Sequence, residues 1–283
     1  MAMKTGLVLE GGGMRGLFTA GAMDVMMEHG IRFDGIVGVS AGATFGCNYK
    51  SHQVGRVLRY NVRFKDDPRY MGLRSLLRTG DLVAAEFSYH TLPNELDIFD
   101  FETYNSDPTE FHIVCTDALT GEPVYHRLDK MDDEALDWIR ASASMPLVSR
   151  PVNLGGRLLL DGGISDSIPL RYFQSQGFGR NIVILTQPKG FYKQRTKLMP
   201  LFHLFMRRYP AIVQAMSRRH LMYNAELSYL EEQERLGNIL LIYPQKTLPI
   251  GRTEQDEPKM RLVYSLGKKK ALEMLAAITS FCS

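Results

Sequence analysis

The sequence predicts an α/β protein built on one mostly parallel sheet covered by helices. Short apolar runs of strand length alternate with longer stretches at helical spacing, the pattern of strands joined by crossover helices. Glycine-rich turns stand twice near the start between an apolar run and a helix, and 283 residues at 45% hydrophobic content can bury one large core. A single domain over 1–283 follows, with no internal repeat and no low-complexity tract.

Taken in order, Thr5-Gly6-Leu7-Val8-Leu9 reads as a short buried strand, Gly11 to Gly16 as a turn, and the next stretch as a helix to about Glu28 that closes at Gly30. Ile36-Val37-Gly38-Val39 is a second strand, ending in a turn at Ser40, with a helix from Ala41. Pro93, Asn94, Asn105 and Pro108 mark 91–108 as surface loop, and 244–258 reads the same way. Further strands are expected over 111–116, 123–127, 181–186 and 238–243, with 117–122 as a hairpin turn. Leu158-Leu159-Leu160 is a buried strand running into Asp161. A last helix starts near Pro258 and carries Leu262, Leu266, Leu272 and Leu275 to the end, so that 258–283 is helical.

Chemistry concentrates in the turns. Gly38-Val39-Ser40-Ala41-Gly42 has the form of a nucleophile elbow, a sharp turn that lifts a serine hydroxyl clear of the chain and tolerates only small neighbours such as Gly38 and Gly42. The helix that follows points unpaired N–H groups and its dipole at the serine. The same five residues also fit an ordinary Gly-Ser turn. In Gly11-Gly12-Gly13-Met14-Arg15-Gly16, backbone N–H groups between strand and helix can converge on a phosphate or on the oxyanion of acyl transfer. Gly11, Gly13 and Gly16 also satisfy the dinucleotide fingerprint, with Asp34 near the spacing of a ribose-binding acid, so a nucleotide-binding protein is the alternative. Against it, the second strand ends in Ser40 and not in an acid. Asp161-Gly162-Gly163 places a carboxylate at a strand end, where open α/β sheets put reacting groups, although an Asp-Gly turn is common without function.

Together the three motifs resemble the patatin-like phospholipase family, which carries a GGGxRG loop, a GxSxG serine and a DG(G/A) aspartate in that order. They span about the first two thirds of the chain, and Ala141-Ser142-Ala143-Ser144-Met145-Pro146 with Pro151-Val152 looks like a further family block. The resemblance implies a three-layer patatin-like fold and a serine acyl hydrolase acting on lipid esters, of phospholipase A or lysophospholipase type. Ser40 would be its nucleophile, Asp161 the sole base of a Ser-Asp dyad, and Gly11, Gly12 and Gly13 the oxyanion hole. Arg15 would either meet a substrate phosphate or brace the loop. Gly16, Gly38, Gly42, Gly162 and Gly163 complete the motifs, and no cofactor or metal is called for. The chain departs from the family at Ser149, where an aromatic residue is frequent, and at Ser167, where asparagine is frequent, which puts transfer of acyl-chain preference in doubt. No family signature is legible beyond about residue 189.

Other features narrow the class. Cys47, Cys115 and Cys282 are too few and scattered for a disulfide framework or metal site. His203 and His220 follow Asp161 in the order a Ser-His-Asp triad requires, but neither stands in a strand-end turn, and His29, His52, His90, His112 and His126 have no better claim. The start, Met1-Ala2-Met3-Lys4, runs into the first strand with no room for a cleavable signal, and no apolar run could span a bilayer, so a cytoplasmic protein, peripheral at most to the inner membrane surface, is expected. Net charge is only +3, yet 189–225 lacks any acid, and its basic residues interleave with Phe191, Tyr192, Leu201, Leu204 and Phe205. We read 189–236 as a lid or membrane-facing helical segment, the part from 189 to 208 fitting an anionic membrane. From Ala211 on, Ile212, Met216, Tyr223, Leu227 and Leu230 form a buried helical stripe instead. A second basic stretch, 50–78, admits a nucleic-acid-binding alternative, but clustered charge without a recognised module is a weak signal, and no nucleic acid is expected as partner.

Overall fold

The computed structural model describes residues 3–282 and has, in chain order, β1 (Thr5–Leu9), α1 (Leu17–Glu28), β2 (Gly35–Val39), α2 (Ala41–Lys50), α3 (Arg56–Arg63), α4 (Leu73–Thr79), α5 (Phe101–Ser106), β3 (Glu110–Asp117), β4 (Pro123–Arg127), α6 (Asp133–Ser142), β5 (Val152–Leu154), β6 (Arg157–Asp161), α7 (Leu170–Ser175), β7 (Arg180–Ile184), α8 (Met199–Phe205), α9 (Pro210–Arg235), β8 (Ile239–Ile242), α10 (Glu257–Glu273) and α11 (Leu275–Cys282). A 3-10 turn covers Gly13–Gly16 and a π-helix covers Glu86–Leu96. The strands form one sheet in the order β5-β6-β3-β2-β1-β7-β8, with β4 paired to β3. The five strands from β3 to β8 along that order are parallel, and β4, β6 and β5 extend the sheet antiparallel.

Strand periodicity divides the core. Leu7, Leu9, Ile36, Ile113 and Ile184 point to one face, where α1, α2, α6 and α10 cover them with Leu17, Phe45, Ile139 and Val263. Val8, Val37, Val39, Val114 and Val183 point to the other, under Leu170 and Phe173 of α7 and Tyr223 and Leu230 of α9. Alternating side chains thus make three layers, as expected. On the first face α10 lies so close to α1 that a Cβ on Gly267 would stand 1.9 Å from the Phe18 carbonyl oxygen.

Two expectations need correction. The segment 91–108 is largely helical: Phe87, Tyr89, Leu92 and Pro93 of the π-helix are buried, and Asp100 caps α5 by accepting the Thr103 N–H at 2.9 Å. Burial of those side chains overrides the turn-forming residues. The terminal helix is two, broken at Met274. The hairpin turn is where the sequence puts it, with Asp117 N–H donating to the Glu122 carbonyl at 2.9 Å. Met1, Ala2 and Ser283, on which the expected start and end of the chain partly rest, lie outside the described residues, and among those described no helix is long and apolar enough to cross a membrane.

Candidate active site

Sheet register brings Ser40 and Asp161 together. Val39 of β2 pairs with Val114 of β3, so Ser40 stands level with Cys115, and past the end of β2 Cys115 pairs with Asp161 of β6, its other side being taken by Val124 of β4. The two residues therefore meet at the same height beyond the end of β2, close enough that the Ser40 side chain hydrogen-bonds the Asp161 carboxylate. β6 runs antiparallel to β3, yet its last residue, Asp161, lies level with Ser40 at the carboxyl edge of the parallel strands. It reaches the serine level because the hairpin from β5 starts beyond that edge and runs back.

Ser40 sits at φ 54° and ψ −121°, a conformation sterically unfavourable for a side-chain-bearing residue and held only by surrounding contacts. Its N–H donates to Ser142 Oγ at 3.0 Å, and Ser142 Oγ donates to the Val114 carbonyl at 2.6 Å, which ties the elbow to β3. Behind it the Ser40 carbonyl accepts the N–H groups of Ala43 and Thr44, each at 3.0 Å, starting α2. Gly42 has no alternative at this turn, because a Cβ there would lie 2.3 Å from the Leu9 carbonyl oxygen. Ser40 is 9% exposed.

Asp161 is buried beside it. Burial pushes its carboxyl above the ordinary range, against the Ser40 side chain, the charges of Arg219 and Arg252 and the Gly163 N–H, which donates to Oδ1 at 2.8 Å. Thr116 Oγ1 donates to the Asp161 carbonyl at 2.8 Å, and the Asp161 N–H donates to the Ser144 carbonyl at 2.8 Å, so the backbone around the carboxylate is fully engaged. Among the described residues no histidine bonds to Ser40 or Asp161. His52 meets Asp107, His90 meets Asp137, His112 meets Glu110 and Tyr172, His29 meets its own helix, His126 stacks on Trp138 and His203 is exposed.

The glycine loop approaches from β1. A Cβ on Gly11 would lie 3.0 Å from Ser40 Cβ, and one on Gly12 would lie 2.8 Å from Thr186 Oγ1. Among the described residues the N–H groups of Gly11, Gly12 and Gly13 have no protein acceptor, whereas the Met14 N–H is taken by the Arg252 carbonyl at 3.0 Å. Asp34, the acid of the dinucleotide reading, stands at the amino end of β2 and binds the Thr5 N–H at 2.7 Å, the far end of the sheet from the loop.

Two cavities meet at Ser40. The larger, about 500 Å³, is lined by the glycine loop, Asp161, Gly163 and Ser167 and by the cations Arg15, Lys193, Arg219 and Arg252. The smaller, about 160 Å³, is mostly apolar, with Phe45, Tyr60, Tyr89, Leu92, Ile139 and Ser149 among its walls. Sequence reading missed the role of Ser142 as elbow anchor and the place of Arg252, which sits in an irregular stretch with no motif. Phe191, Lys193, Leu198 and Phe202, in the stretch read as a lid or membrane-facing segment, wall the larger cavity. Arg15 lines that cavity while its Nε donates to the Gly12 carbonyl at 3.4 Å, so both of its expected roles are geometrically open.

A sequence model of the patatin-like phospholipase family matches residues 7–173, and one for a domain of unknown function (DUF6363) matches residues 209–283. The protein YjjU of Escherichia coli K12 is 31% identical over 289 aligned positions, covering 97% of this chain and 78% of YjjU. Lysophospholipase NTE1 of Cryptococcus neoformans is 29% identical over 64% of this chain, which corresponds to 11% of that much longer protein. The crystal structure of VipD from Legionella pneumophila aligns with a TM-score of 0.48 at 14% identity, over 97% of this chain and 67% of that one. With its family match covering more than half the sequence and all three motifs inside it, the chain belongs to the patatin-like phospholipase family.

Proposed function

We propose that the protein is a serine hydrolase cleaving carboxylic esters of lipids, of phospholipase A or lysophospholipase type, through a Ser40-Asp161 dyad. The observation that carries this reading is the strained Ser40 elbow facing a buried carboxyl, with three unpaired glycine N–H groups alongside. In the reaction Asp161 takes the hydroxyl proton as Ser40 Oγ bonds to the ester carbonyl carbon. The carbonyl electron pair moves onto oxygen, where the N–H groups of Gly11 to Gly13 and the start of α2 stabilise it. Collapse of this intermediate breaks the bond to the alcohol, which leaves with the proton from Asp161. Water, deprotonated by Asp161, then releases the acid from Ser40. A carboxyl raised towards neutral pH by burial is a stronger base than an exposed aspartate. The similarity to a lysophospholipase and the apolar cavity beside Ser40 support lipid esters as the class.

Access from a membrane is part of the same reading. α8 buries Met199 and Phe202, yet turns Leu201, Leu204 and Phe205 outwards, with Phe205 67% exposed. Exposed Arg195, Lys197, Arg207 and Arg208 flank them, a surface suited to insert among acyl chains while holding anionic headgroups. Because Phe202 also walls the larger cavity, this surface lies over the site.

A fluorophosphonate probe is expected to label Ser40, and fatty acid release from mixed phospholipid vesicles to vanish in Ser40→Ala and in Asp161→Asn with unchanged circular dichroism. Substantial release by either folded variant would overturn the dyad. Sedimentation with anionic vesicles should weaken as salt rises, since exposed attraction is screened over about 10 Å at 0.1 M; equal binding to neutral vesicles would remove the electrostatic part.

A further inference from the structure

The larger cavity holds more positive charge than the ester chemistry needs. Arg15, Lys193, Arg219 and Arg252 line it against two carboxylates, Glu10 and Asp161. Among the described residues none of these four cations makes an ion pair within 4.0 Å, although 20 such pairs occur elsewhere. Glu10 is already engaged by the Thr186 N–H at 2.6 Å, the Thr186 hydroxyl and the Tyr223 hydroxyl at 2.7 Å. Arg219 donates to the Gly163 carbonyl through Nε and to Ser167 Oγ through Nη2 at 3.5 Å while lining the cavity, and Lys193 stands over the Tyr223 ring with Nζ 3.8 Å from its centre. His220 Nδ1, on the same wall, is closed to solvent and bonded to nothing among the described residues. Arg15, Lys193 and Arg219 are part-buried and Arg252 is exposed at the rim; cations gathered in excess of the carboxylates beside them repel one another at a cost, which an anionic ligand would reverse.

We propose that this wall binds the phosphate of an anionic glycerolipid headgroup next to the scissile ester, and that Lys193, Arg219 and Arg252 select phosphorylated substrates. The inference rests on the ester-hydrolase reading and adds the residues that recognise the phosphate of its substrate. All three residues follow the stretch matched by the patatin-like family, and Arg219 and Arg252 lie in the stretch matched by the domain of unknown function, so the proposal also gives that stretch a task. Ser40 sits where the two cavities join, which lets the acyl chain enter the apolar one while the phosphate meets the cations. Mutual repulsion is visible in Lys193: burial first, then Arg219, Arg252 and Arg15, opposed by Glu10, bring its ammonium down to about 7. A bound phosphate dianion or diester would restore the charged form.

The test compares kcat/KM for a lysophosphatidic acid with that for a monoacylglycerol of the same chain in wild type, Lys193→Met and Arg252→Met. Charge-assisted bonds to phosphate predict that the ratio of the two falls about 10–100-fold in each variant, through KM more than kcat. An unchanged ratio in folded variants overturns the headgroup site and leaves the dyad standing. Calorimetry of the Ser40→Ala protein with glycerol 3-phosphate supplies the second arm. Binding that is lost in Ser40→Ala/Lys193→Met supports the anion site even if wild type hydrolyses neither ester, in which case the hydrolase reading is what fails. Binding of inorganic phosphate as tight as that of glycerol 3-phosphate, with equal inhibition of both esters, would overturn the headgroup assignment in favour of a free-phosphate site.

Discussion

Two basic regions of this chain look alike in sequence and differ in what their charges do. In the first, 50–78, Arg56 is 4% exposed and pairs with Asp97 at 3.1 Å, while its guanidinium also serves the Asp97 carbonyl and Asn48 Oδ1 at 2.9 Å. Arg59 pairs with the same Asp97 at 2.8 Å, Arg63 donates to the Leu96 carbonyl and Arg69 pairs with Asp67. Arg56 and Arg59 brace the segment after the π-helix against α3 through Asp97, and Arg63 does so through the Leu96 carbonyl. Lys193 and Arg219 of the second region, with Arg15 and Arg252 from elsewhere in the chain, make no ion pair within 4.0 Å among the described residues, and the acids near them, Glu10, Asp161 and Glu226, accept hydrogen bonds from other groups. Charge that is neutralised inside the fold serves stability, and charge left unpaired inside a cavity is available to a ligand.

The sharpest way to break this contrast is Arg56→Met. It should destabilise the protein by about 3 kcal/mol in urea denaturation, because Asp97 and Asn48 lose a buried partner, while the preference between phosphorylated and neutral esters stays as in wild type. A shift in that preference without loss of stability would erase the distinction between the regions.

A second comparison uses pH. On a neutral ester, kcat/KM should have a single acid limb, present above the folded-state pKa of Asp161 and lost as pH falls through it, at a pH above the ordinary carboxylate value of 3.8. On a phosphorylated ester a further decline of up to about tenfold should appear as pH rises through about 7 and Lys193 loses its proton. That alkaline limb should be missing in Lys193→Met, and its persistence there would assign it to another group.

Stability sharpens the same point with the opposite sign to Arg56. Lys193→Met should stabilise the free protein at pH 7 by about 0.5–2 kcal/mol in chemical denaturation, since an unpaired, half-buried ammonium is removed. The folded-state pKa of about 7 lies below the ordinary 10.5, so between those values the unfolded chain binds more protons and wild-type stability rises with pH. The advantage of the variant should therefore be full below pH 7 and gone above 10.5. The smallest effect belongs to Arg59→Ala, whose side chain is 54% exposed: about 0.2–1 kcal/mol, shrinking at high salt.

The family motifs were legible because they are local. The elbow needs Gly38 and Gly42 at fixed offsets from Ser40, and the glycine loop needs bare backbone between β1 and α1; such requirements leave a mark within a few residues. The strands of the parallel core were legible for the same reason, apolar runs of the right length. The π-helix was not, because Pro93 and Asn94 favour turns locally and only the burial of Phe87, Tyr89 and Leu92 makes the helix pay its way. Ser142 carried no signal as an anchor, since its partners, Ser40 and Val114, lie 102 and 28 residues away.

By itself, then, the sequence determined the α/β class, the three family motifs and the family, all of them consequences of backbone sterics and periodicity acting over short spans. Tertiary structure alone decided which cations form ion pairs and which, among the described residues, form none. Arg56 meets Asp97 across 41 residues, whereas Arg15, Lys193, Arg219 and Arg252 are gathered into one cavity from four separate stretches of chain. Coulomb interactions depend on distance and burial after folding, and neither quantity is written in the order of residues.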